Sequence, residues 1–415
     1  MNAKTPDPGA TGPSVQEERY FRRGLGLKKE IQPLLESEYG SALVHLVRER
    51  GYDLRVGRLH FRLAKSFGFC YGVDRAVEYA YESREKFPDR RIFLVGEIIH
   101  NPHVNRRLQG MDIEFLYPSD DGAFDFSPVT PEDVVIIPAF GVTLHDFETL
   151  RELGCILIDT TCGSVLNVWK RVESYSREGF TAIIHGKYWH EETRATSSQT
   201  RKHGDGTYLI VRDMAETEVV CAYIRGAADR DEFLGRFARC ASPGFDPDRD
   251  LGRIGVANQT TMLASESLAI AARLGEAIAE RYGDEALPDR FRSFDTICSA
   301  TQDRQDAILE MMAEPPDVMV VIGGYNSSNT NHLAHLCARH ATTFHIEDAS
   351  CIDPSVGTIS HKRIMGDEIL LGRDWLPAGD VEIGLTAGAS TPDSKIGETV
   401  ERILRTAGYA LTDVL

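Results

Sequence analysis

Short apolar runs alternate with amphipathic stretches along most of the chain, and this alternation constrains the fold more than any other feature of the sequence. The apolar runs are rich in β-branched residues, as strands are, and they read RIFLV, DVVII, CILID, FTAII, RIGVA, DVMVV and VEIGL. Between most of them, apolar residues recur at helical spacing, as in DRAVEYAYESREKF and SVLNVWKRVESYSREG. Strands that alternate with helices form parallel sheets, so the sequence predicts an α/β protein with mainly parallel sheets.

Length and charge exclude several classes of protein. The 415 residues suggest about three domains at roughly 150 residues each. The 63 acidic and 46 basic residues give a net charge of −17, which repels nucleic-acid phosphates and anionic lipid. No stretch approaches the ~20 apolar residues of a membrane-spanning helix, and the first residues carry no apolar secretory core. We therefore expect a cytoplasmic protein without a nucleic-acid or membrane partner.

Changes in composition divide the chain into segments. Residues 1–17 are rich in Pro, Gly, Ser and Thr and are predicted to be disordered, and residues 18–62 are predicted to form an ordered N-terminal extension. Residues 200–253 are polar and rich in turn signals, which predicts an irregular surface insertion. The rest of the chain is predicted to form three α/β units and a C-terminal helix or tail. The first unit is at 63–161, the second, which carries this insertion, at 162–295, the third at 296–390, and the C-terminal helix or tail at 391–415.

Three cysteines share one sequence context. Cys70, Cys162 and Cys298 each end an apolar or β-branched run, and small residues and then an amphipathic helix follow. Each thiol is therefore expected at a helix N-terminus, where the unpaired amides favour the thiolate. The other five cysteines lack this context and are interpreted as small buried hydrophobic residues. No CxxC pair is present, so a disulfide framework is disfavoured.

Three thiolates that meet could hold either of two metal centres. They leave a tetrahedral zinc one ligand short, and they leave one iron of a cubane iron–sulfur cluster open to substrate. The sequence contains no dinucleotide or Walker fingerprint and no G-x-S-x-G nucleophile motif. A metal centre is thus favoured as the source of chemistry. The alternatives are a non-catalytic iron–sulfur or zinc redox sensor and an α/β phosphohydrolase.

Polar residues follow several predicted strands, at the edge where open α/β sheets bind ligands. His100 and His190 each end a strand, and Glu191 and Glu192 begin the next predicted helix. The runs NSSN at 326–329 and GAS at 388–390 offer small hydroxyl and amide donors to an anion, although helix capping also explains them. A carboxyl group near a bound anion has a raised pKa and can deliver a proton. The set predicts an anionic substrate.

Eight ordered motifs carry a family resemblance. They are GFCYGVDRA, EIIHNPHVNRRL, DTTCGSV, HGKYWHEET, NQTTM, ICSATQDRQDA, GGYNSSNTNHL and GLTAGASTPD. Together they resemble the 4-hydroxy-3-methylbut-2-enyl diphosphate reductase (LytB/IspH) family. The AFGV and HEET motifs and the N-terminal extension resemble its cyanobacterial and plant branch.

The resemblance implies a fold, a cofactor and a reaction. The fold would be a trefoil of three similar α/β units around a central iron–sulfur cleft. One 4Fe–4S cluster per chain would be held by Cys70, Cys162 and Cys298, with one iron open to the substrate alcohol. The reaction would be reductive dehydroxylation of an allylic diphosphate to isopentenyl and dimethylallyl diphosphate, the last step of the methylerythritol phosphate pathway. The absence of a nicotinamide site suggests that a protein such as ferredoxin or flavodoxin donates the electrons.

The resemblance also implies roles for individual residues. Glu192 would be the proton source, and Thr260 and Gln259 would form a relay near the substrate hydroxyl. The residues that would hold the diphosphate are His100, His190, Ser327, Ser328, Asn329 and Ser390. The sequence departs from many bacterial members at Phe140, where those members have a diphosphate-binding His. Lys187 and Tyr188 are candidates to compensate for it.

Overall fold

The computed structural model describes residues 19–414, and the segment predicted to be disordered at 1–17 lies outside the described residues. The strands are β1 (Tyr20–Phe21), β2 (Asp53–Val56), β3 (Leu59–Leu63), β4 (Ile92–Val95), β5 (Ile113–Leu116), β6 (Val134–Ile137), β7 (Ile156–Asp159), β8 (Thr181–His185), β9 (Tyr208–Val211), β10 (Ile254–Asn258), β11 (Phe291–Ser293), β12 (Val318–Ile322), β13 (Thr342–Ile346), β14 (Ile352–Asp353), β15 (Thr358–Lys362), β16 (Ile369–Arg373) and β17 (Val381–Ala387).

The α-helices lie between these strands and at the C-terminal end. They are α1 (Lys28–Tyr39), α2 (Ala42–Glu49), α3 (Tyr71–Lys86), α4 (Pro102–Gln109), α5 (Leu144–Leu153), α6 (Gly163–Arg177), α7 (Glu191–Ser198), α8 (Met214–Ile224), α9 (Arg230–Arg236), α10 (Pro247–Asp250), α11 (Ala264–Tyr282), α12 (Leu287–Arg290), α13 (Ser299–Met311), α14 (Ser328–Ala338) and α15 (Asp393–Thr406). None of the helices within residues 19–414 combines the length and the apolar character needed to cross a membrane.

The first of three sheets has the strand order β1-β7-β6-β4-β5, and all its neighbouring strands are parallel. Every residue of β4, β6 and β7 is buried. Parallel sheets are covered on both faces, which is why these strands read in the sequence as unbroken apolar runs. The prediction of an α/β protein with mainly parallel sheets is confirmed.

The second sheet has the order β11-β10-β8-β9 and is also parallel. The segment at 200–253 belongs to it, so the prediction of an irregular surface insertion is wrong. The segment supplies β9 and α8, and it buries Leu209, Cys221 and Phe233 in the core of this unit. Its polar run at 202–205 forms only the turn before β9. The average polarity of the segment therefore concealed a strand and helices that pack through a few apolar side chains.

The third sheet is mixed. Its central strands β13, β12 and β17 are parallel, and β14, β15 and β16 pair in antiparallel fashion at one edge. On the other side of β17 lie β3, which is parallel to it, and then β2. The C-terminal helix α15 packs on this unit through Ile396 and Ile403.

The segment predicted as an N-terminal extension divides between two of the sheets. Strand β1 pairs with β7 in the first sheet, and α1 buries Ile31 and Leu35 in the core of that unit. Helix α2 and strands β2 and β3 belong to the core of the third unit. The pairing of β3 with β17 joins segments at opposite ends of the chain, and a contact at that separation leaves no local signal in the sequence.

Candidate active site

The three cysteines with a shared sequence context meet in one cavity. Cys70, Cys162 and Cys298 are the N-cap residues of α3, α6 and α13, and all three line a cavity of about 80 Å³. Gly72 shows how closely two thiols approach, because a Cβ atom on it would lie 2.5 Å from Sγ of Cys162 and 4.0 Å from Sγ of Cys70. The fold thus gathers three sulfur atoms from distant segments and leaves space between them.

Burial opposes the thiolate form at this end of the cavity. It raises the pKa of the Cys70 thiol, and it raises the pKa of the Cys298 thiol to about 11. The effect of desolvation on the thiol pKa therefore outweighs that of the helix N-terminus, which by itself favours the thiolate. Coordination to a metal cation deprotonates a thiol outright. A metal centre would thus reverse the effect of burial on these cysteines.

A buried arginine provides positive charge beside the thiols. Arg304 on α13 is 4% exposed, and its Nη2 and Nη1 atoms donate to the carbonyls of Gly68 and Ala300 at 2.6 Å. Its Nε has no hydrogen-bond partner in the part of the chain that the structure describes. The guanidinium interacts electrostatically with Cys70 and Cys298. An anionic group held by these thiols would gain a nearby countercharge.

Glu192 places a carboxyl group in the same cavity. Its side chain is buried, its Oε1 accepts from the backbone N–H of Thr260 at 2.6 Å, and its Oε2 accepts from the Thr260 hydroxyl at 3.0 Å. Burial raises the pKa of Glu192 to about 7, although both hydrogen bonds from Thr260 lower it. Glu192 can therefore hold or release a proton near neutral pH.

Two buried histidines lie together beside this carboxyl group. Nε2 of His100 is 3.3 Å from Nε2 of His190, and His190 is the N-cap residue of α7, where its Nδ1 accepts from the backbone N–H of Glu192. Burial holds the pKa of His190 well below its usual value. The structure thus joins the ends of β4 and β8 at one point, as the polar residues after those strands predicted.

Phe140 covers the histidine pair. Its ring stacks on the His100 ring with centroids 4.4 Å apart and planes inclined by 24°, and it meets the His190 ring edge-on at 5.6 Å. The departure noted in the sequence therefore puts an apolar ring against both imidazoles. Phe140 supplies no donor for an anion, but it excludes water from the two groups that can donate.

The predicted hydroxyl and amide donors line the same cavity. Ser327 is the N-cap residue of α14, and Ser328 has a buried Oγ without a hydrogen-bond partner among the described residues. The Asn329 carbonyl oxygen accepts from the backbone N–H of Ala389 at 3.0 Å. The Ser390 hydroxyl donates to the carbonyl of His100 at 3.1 Å. All four predicted residues line the cavity.

Other residues singled out in the sequence lie around the cavity. The Gln259 side chain connects three segments: its Oε1 accepts from the Lys187 backbone and the Thr193 hydroxyl, and its Nε2 donates to the Thr261 hydroxyl. This network occupies the amide that we expected to approach the substrate. Tyr188 packs against an apolar core cluster of the second unit. The structure therefore places Gln259 and Tyr188 as supports of the surrounding loops.

Sequence reasoning missed three groups at this site. Arg304 and Thr301 lie on α13, and the Thr301 hydroxyl is 3.1 Å from Sγ of Cys298. Glu97 follows β4, and its carboxylate lies 2.9 Å from Nδ1 of His100. The available signal was the i+3 spacing of Thr301 from Cys298 and of Arg304 from Thr301, which puts successive residues next to each other on a helix. Glu97 carried no comparable signal because a loop has no fixed period.

Comparison with known proteins decides the family. The model of the LytB protein family matches residues 61–404. The chain belongs to the LytB family. It is 49% identical over 389 residues to the 4-hydroxy-3-methylbut-2-enyl diphosphate reductase of Synechococcus sp. (strain CC9605), covering 94% of this chain and 96% of that relative. It is 47% identical over 398 residues to the reductase of the same name from Gloeobacter violaceus (strain ATCC 29082 / PCC 7421), covering 95% and 94%.

Solved structures agree with this LytB assignment. A structure described as (E)-4-hydroxy-3-methyl-but-2-enyl diphosphate reductase, the terminal enzyme of the non-mevalonate pathway, aligns with a TM-score of 0.51 and 28% identity, covering 83% of this chain and 98% of that one. The E-1-hydroxy-2-methyl-but-2-enyl-4-diphosphate reductase from Plasmodium falciparum aligns with a TM-score of 0.61 and 21% identity, covering 83% and 87%. The second likeness concerns the fold alone.

Proposed function

We propose that this chain is a 4-hydroxy-3-methylbut-2-enyl diphosphate reductase of the methylerythritol phosphate pathway. It removes the substrate hydroxyl reductively and forms isopentenyl and dimethylallyl diphosphate. The observation that carries this proposal is one cavity lined by three thiols, a buried carboxyl group and two imidazoles. A redox sensor needs the thiols but has no use for a carboxyl group with a pKa of about 7 beside a set of anion donors.

The thiol end fits one 4Fe–4S cluster. Cys70, Cys162 and Cys298 offer soft sulfur ligands, the absent side chain of Gly72 leaves space between two of them, and Arg304 offsets negative charge. When bound, the cluster would supply electrons and a Lewis-acidic iron with an open ligand position. We further propose that the three α/β units form a trefoil around this centre, since each unit contributes one ligand.

Glu192 supplies the proton that leaves with the hydroxyl oxygen. Its carboxyl group stays protonated up to about pH 7, and the Thr260 hydroxyl, 3.0 Å from Oε2, extends the hydrogen-bonded path into the cavity. A C–O bond breaks more easily when the departing oxygen receives a proton, because water is a better leaving group than hydroxide. Glu192 and Thr260 are the catalytic residues of this proposal, and the network around Gln259 holds the loop that carries Thr260.

The diphosphate lies between the histidine pair and the start of α14. His100 and His190 offer ring nitrogens, and Ser328 offers a hydroxyl without a partner in the described chain. Ser327, Asn329 and Ser390 complete this set of donors. These donors act at hydrogen-bond range, whereas the net charge of −17 is screened beyond roughly 8 to 10 Å. An acidic protein can therefore bind an anion here.

The electrons come from a separate carrier in this proposal. The sequence has no nicotinamide fingerprint, so a one-electron donor protein such as ferredoxin or flavodoxin is the partner we expect. No other macromolecular partner is needed for the reaction.

Anaerobic purification followed by iron and acid-labile sulfide assays tests the proposal. We expect about four irons and four sulfides per chain and consumption of 4-hydroxy-3-methylbut-2-enyl diphosphate when a strong reductant is added. A coloured protein that binds the cluster but leaves the substrate unchanged would support the redox sensor. A colourless protein that releases phosphate from the substrate would support the phosphohydrolase.

A further inference from the structure

The carboxylate of Glu97 contacts the histidine pair from outside the cavity. It lies in the loop between β4 and α4 with its side chain 27% exposed, and its Oε2 is 2.9 Å from Nδ1 of His100. The same oxygen accepts from Nδ2 of Asn326 at 3.1 Å. Glu97 therefore contacts His100 on the side opposite to His190.

The contacts of His190 fix the position of its proton. Its Nδ1 accepts the backbone N–H of Glu192 at 3.2 Å, so a neutral His190 carries its hydrogen on Nε2. Burial keeps the pKa of His190 well below its usual value, and the ring is therefore neutral near pH 7. Its Nε2 faces Nε2 of His100 at 3.3 Å. His190 thus donates across this contact and His100 accepts.

The state of His100 follows from that contact. With Nε2 accepting from His190, His100 carries its own hydrogen on Nδ1 and donates it to Glu97. A diphosphate oxygen between the two rings needs donors from both Nε2 atoms. His190 already has one there. His100 acquires one only by taking up a second proton, and a carboxylate on Nδ1 stabilises the resulting imidazolium through a charge-assisted hydrogen bond.

We propose that Glu97 is a positioning residue that lets His100 take up a proton when the diphosphate binds, so that both histidines donate to the anion. This inference rests on the proposed function, because the diphosphate is the binding group of the proposed substrate. Glu97 acts through His100 and does not itself touch the substrate. Glu97 increases the affinity for the diphosphate, whereas Glu192 and the thiols act in the chemical step.

Other charged groups face this pair and bear on its protonation. On the His100 side, Glu191 places Oε2 3.6 Å from Nε2. On the Glu97 side, Tyr117 and Glu347 lie within electrostatic range. Glu191 is the group that could stabilise the same imidazolium from the other nitrogen. An experiment must therefore separate Glu97 from Glu191.

Steady-state kinetics of the cluster-loaded enzyme give the first test. We expect Glu97→Gln to raise KM about tenfold to a hundredfold, the loss of one hydrogen bond to a charged group, with kcat nearly unchanged. In wild type we expect 1/KM to fall as pH rises, and this pH dependence should be weaker in Glu97→Gln. Glu97→Asp should partly restore both the wild-type KM and its pH dependence. Glu114→Gln, which removes an exposed carboxylate of β5, is the matched control. An unchanged KM and pH profile in Glu97→Gln would overturn the inference.

Calorimetry with inorganic diphosphate gives the second test. Titration of anaerobic wild type and Glu97→Gln in two buffers of different ionisation enthalpy counts the protons taken up on binding. Subtracting the proton uptake of Glu97→Gln from that of wild type removes the contribution of protons exchanged by the diphosphate itself. We expect wild type to take up more protons than the variant. Equal uptake, or a loss of uptake in Glu191→Gln but not in Glu97→Gln, would contradict the role of Glu97. Iron content and kcat report separately on the proposed function, which stands if they are normal in wild type.

Discussion

The thiols and the carboxyl group of the cavity are all buried, and burial has opposite consequences for the chemistry of the two sets. At the thiol end, burial raises the pKa of Cys70 and Cys298 and holds them as thiols, a form that is a poor metal ligand. At the carboxyl end, burial raises the pKa of Glu192 to about 7, which suits a proton donor. Burial therefore opposes metal binding by the thiols and favours proton donation by Glu192.

This difference shows what each end needs from elsewhere. The carboxyl end is complete in the protein itself, because Thr260 orients Glu192 and His190 is held by the backbone of α7. The thiol end requires a cationic centre to become reactive, and Arg304 is not sufficient, since the pKa values of Cys70 and Cys298 stay raised although its guanidinium lies nearby. Variants at the two ends should thus fail in different ways.

Removing a sulfur ligand should have the largest effect. We expect Cys70→Ser, Cys162→Ser and Cys298→Ser each to lose the cluster colour and all detectable turnover, because the hydroxyl of serine is a hard and weak ligand for iron. Iron analysis and substrate consumption measure the two losses. Cys155→Ser is the matched control: it is buried and donates only to the carbonyl of Leu150. Loss of iron in that control would disprove the assignment of ligands.

Removing the acid at the other end should leave the cluster in place. Glu192→Gln keeps the shape of the side chain but has no proton to give, so we expect kcat to fall about 10² to 10⁴-fold with normal iron content. In wild type, kcat/KM should decline as pH rises through about 7, because Glu192 then loses its proton. A pH–rate profile of both proteins checks this. Normal turnover by Glu192→Gln would remove the residue from the mechanism.

Filling the space between the thiols should weaken the thiol end alone. In Gly72→Ala, the new Cβ would lie 2.5 Å from Sγ of Cys162, so the thiol must move and we expect partial loss of iron with turnover lowered in proportion. Gly163→Ala is the matched control, because its Cβ would meet open space. Iron per chain and turnover per iron are the measurements. Full iron content in Gly72→Ala would mean that the thiols can separate without cost.

Removing a single donor from the diphosphate wall should have the smallest effect. The Ser328 hydroxyl has no partner among the described residues, and we expect Ser328→Ala to raise KM about fivefold to tenfold through the loss of one hydrogen bond to an anion. Ser37→Ala, at an exposed position of α1, should leave KM unchanged. Initial-rate kinetics measure KM in both variants. An unaltered KM in Ser328→Ala would mean that the Ser328 hydroxyl does not bind the diphosphate.

Local sequence patterns were sufficient for much of the fold. The apolar runs predicted the central strands of all three sheets, because strands buried on both faces have little choice of residue. These strands are β4, β6, β7, β8, β10, β12 and β17. The patterns failed at 200–253, where a few apolar side chains such as Phe233 hold helices that are otherwise polar. At 18–62 they predicted an ordered segment but not the partners of its strands, because β1 and β3 pair with strands far away in the chain. Pairings of that kind depend on the assembled sheets.

The sequence by itself determined the order of elements, the helix starts at Cys70, Cys162 and Cys298, and the motifs that identify the family. The tertiary structure decided which groups share an environment. It turned Gln259 toward its neighbouring loops, laid Phe140 on His100, and brought Arg304 beside Cys70 and Asn326 beside Glu97. Protonation in the cavity depends on burial and on these contacts, and both arise only when distant segments pack together.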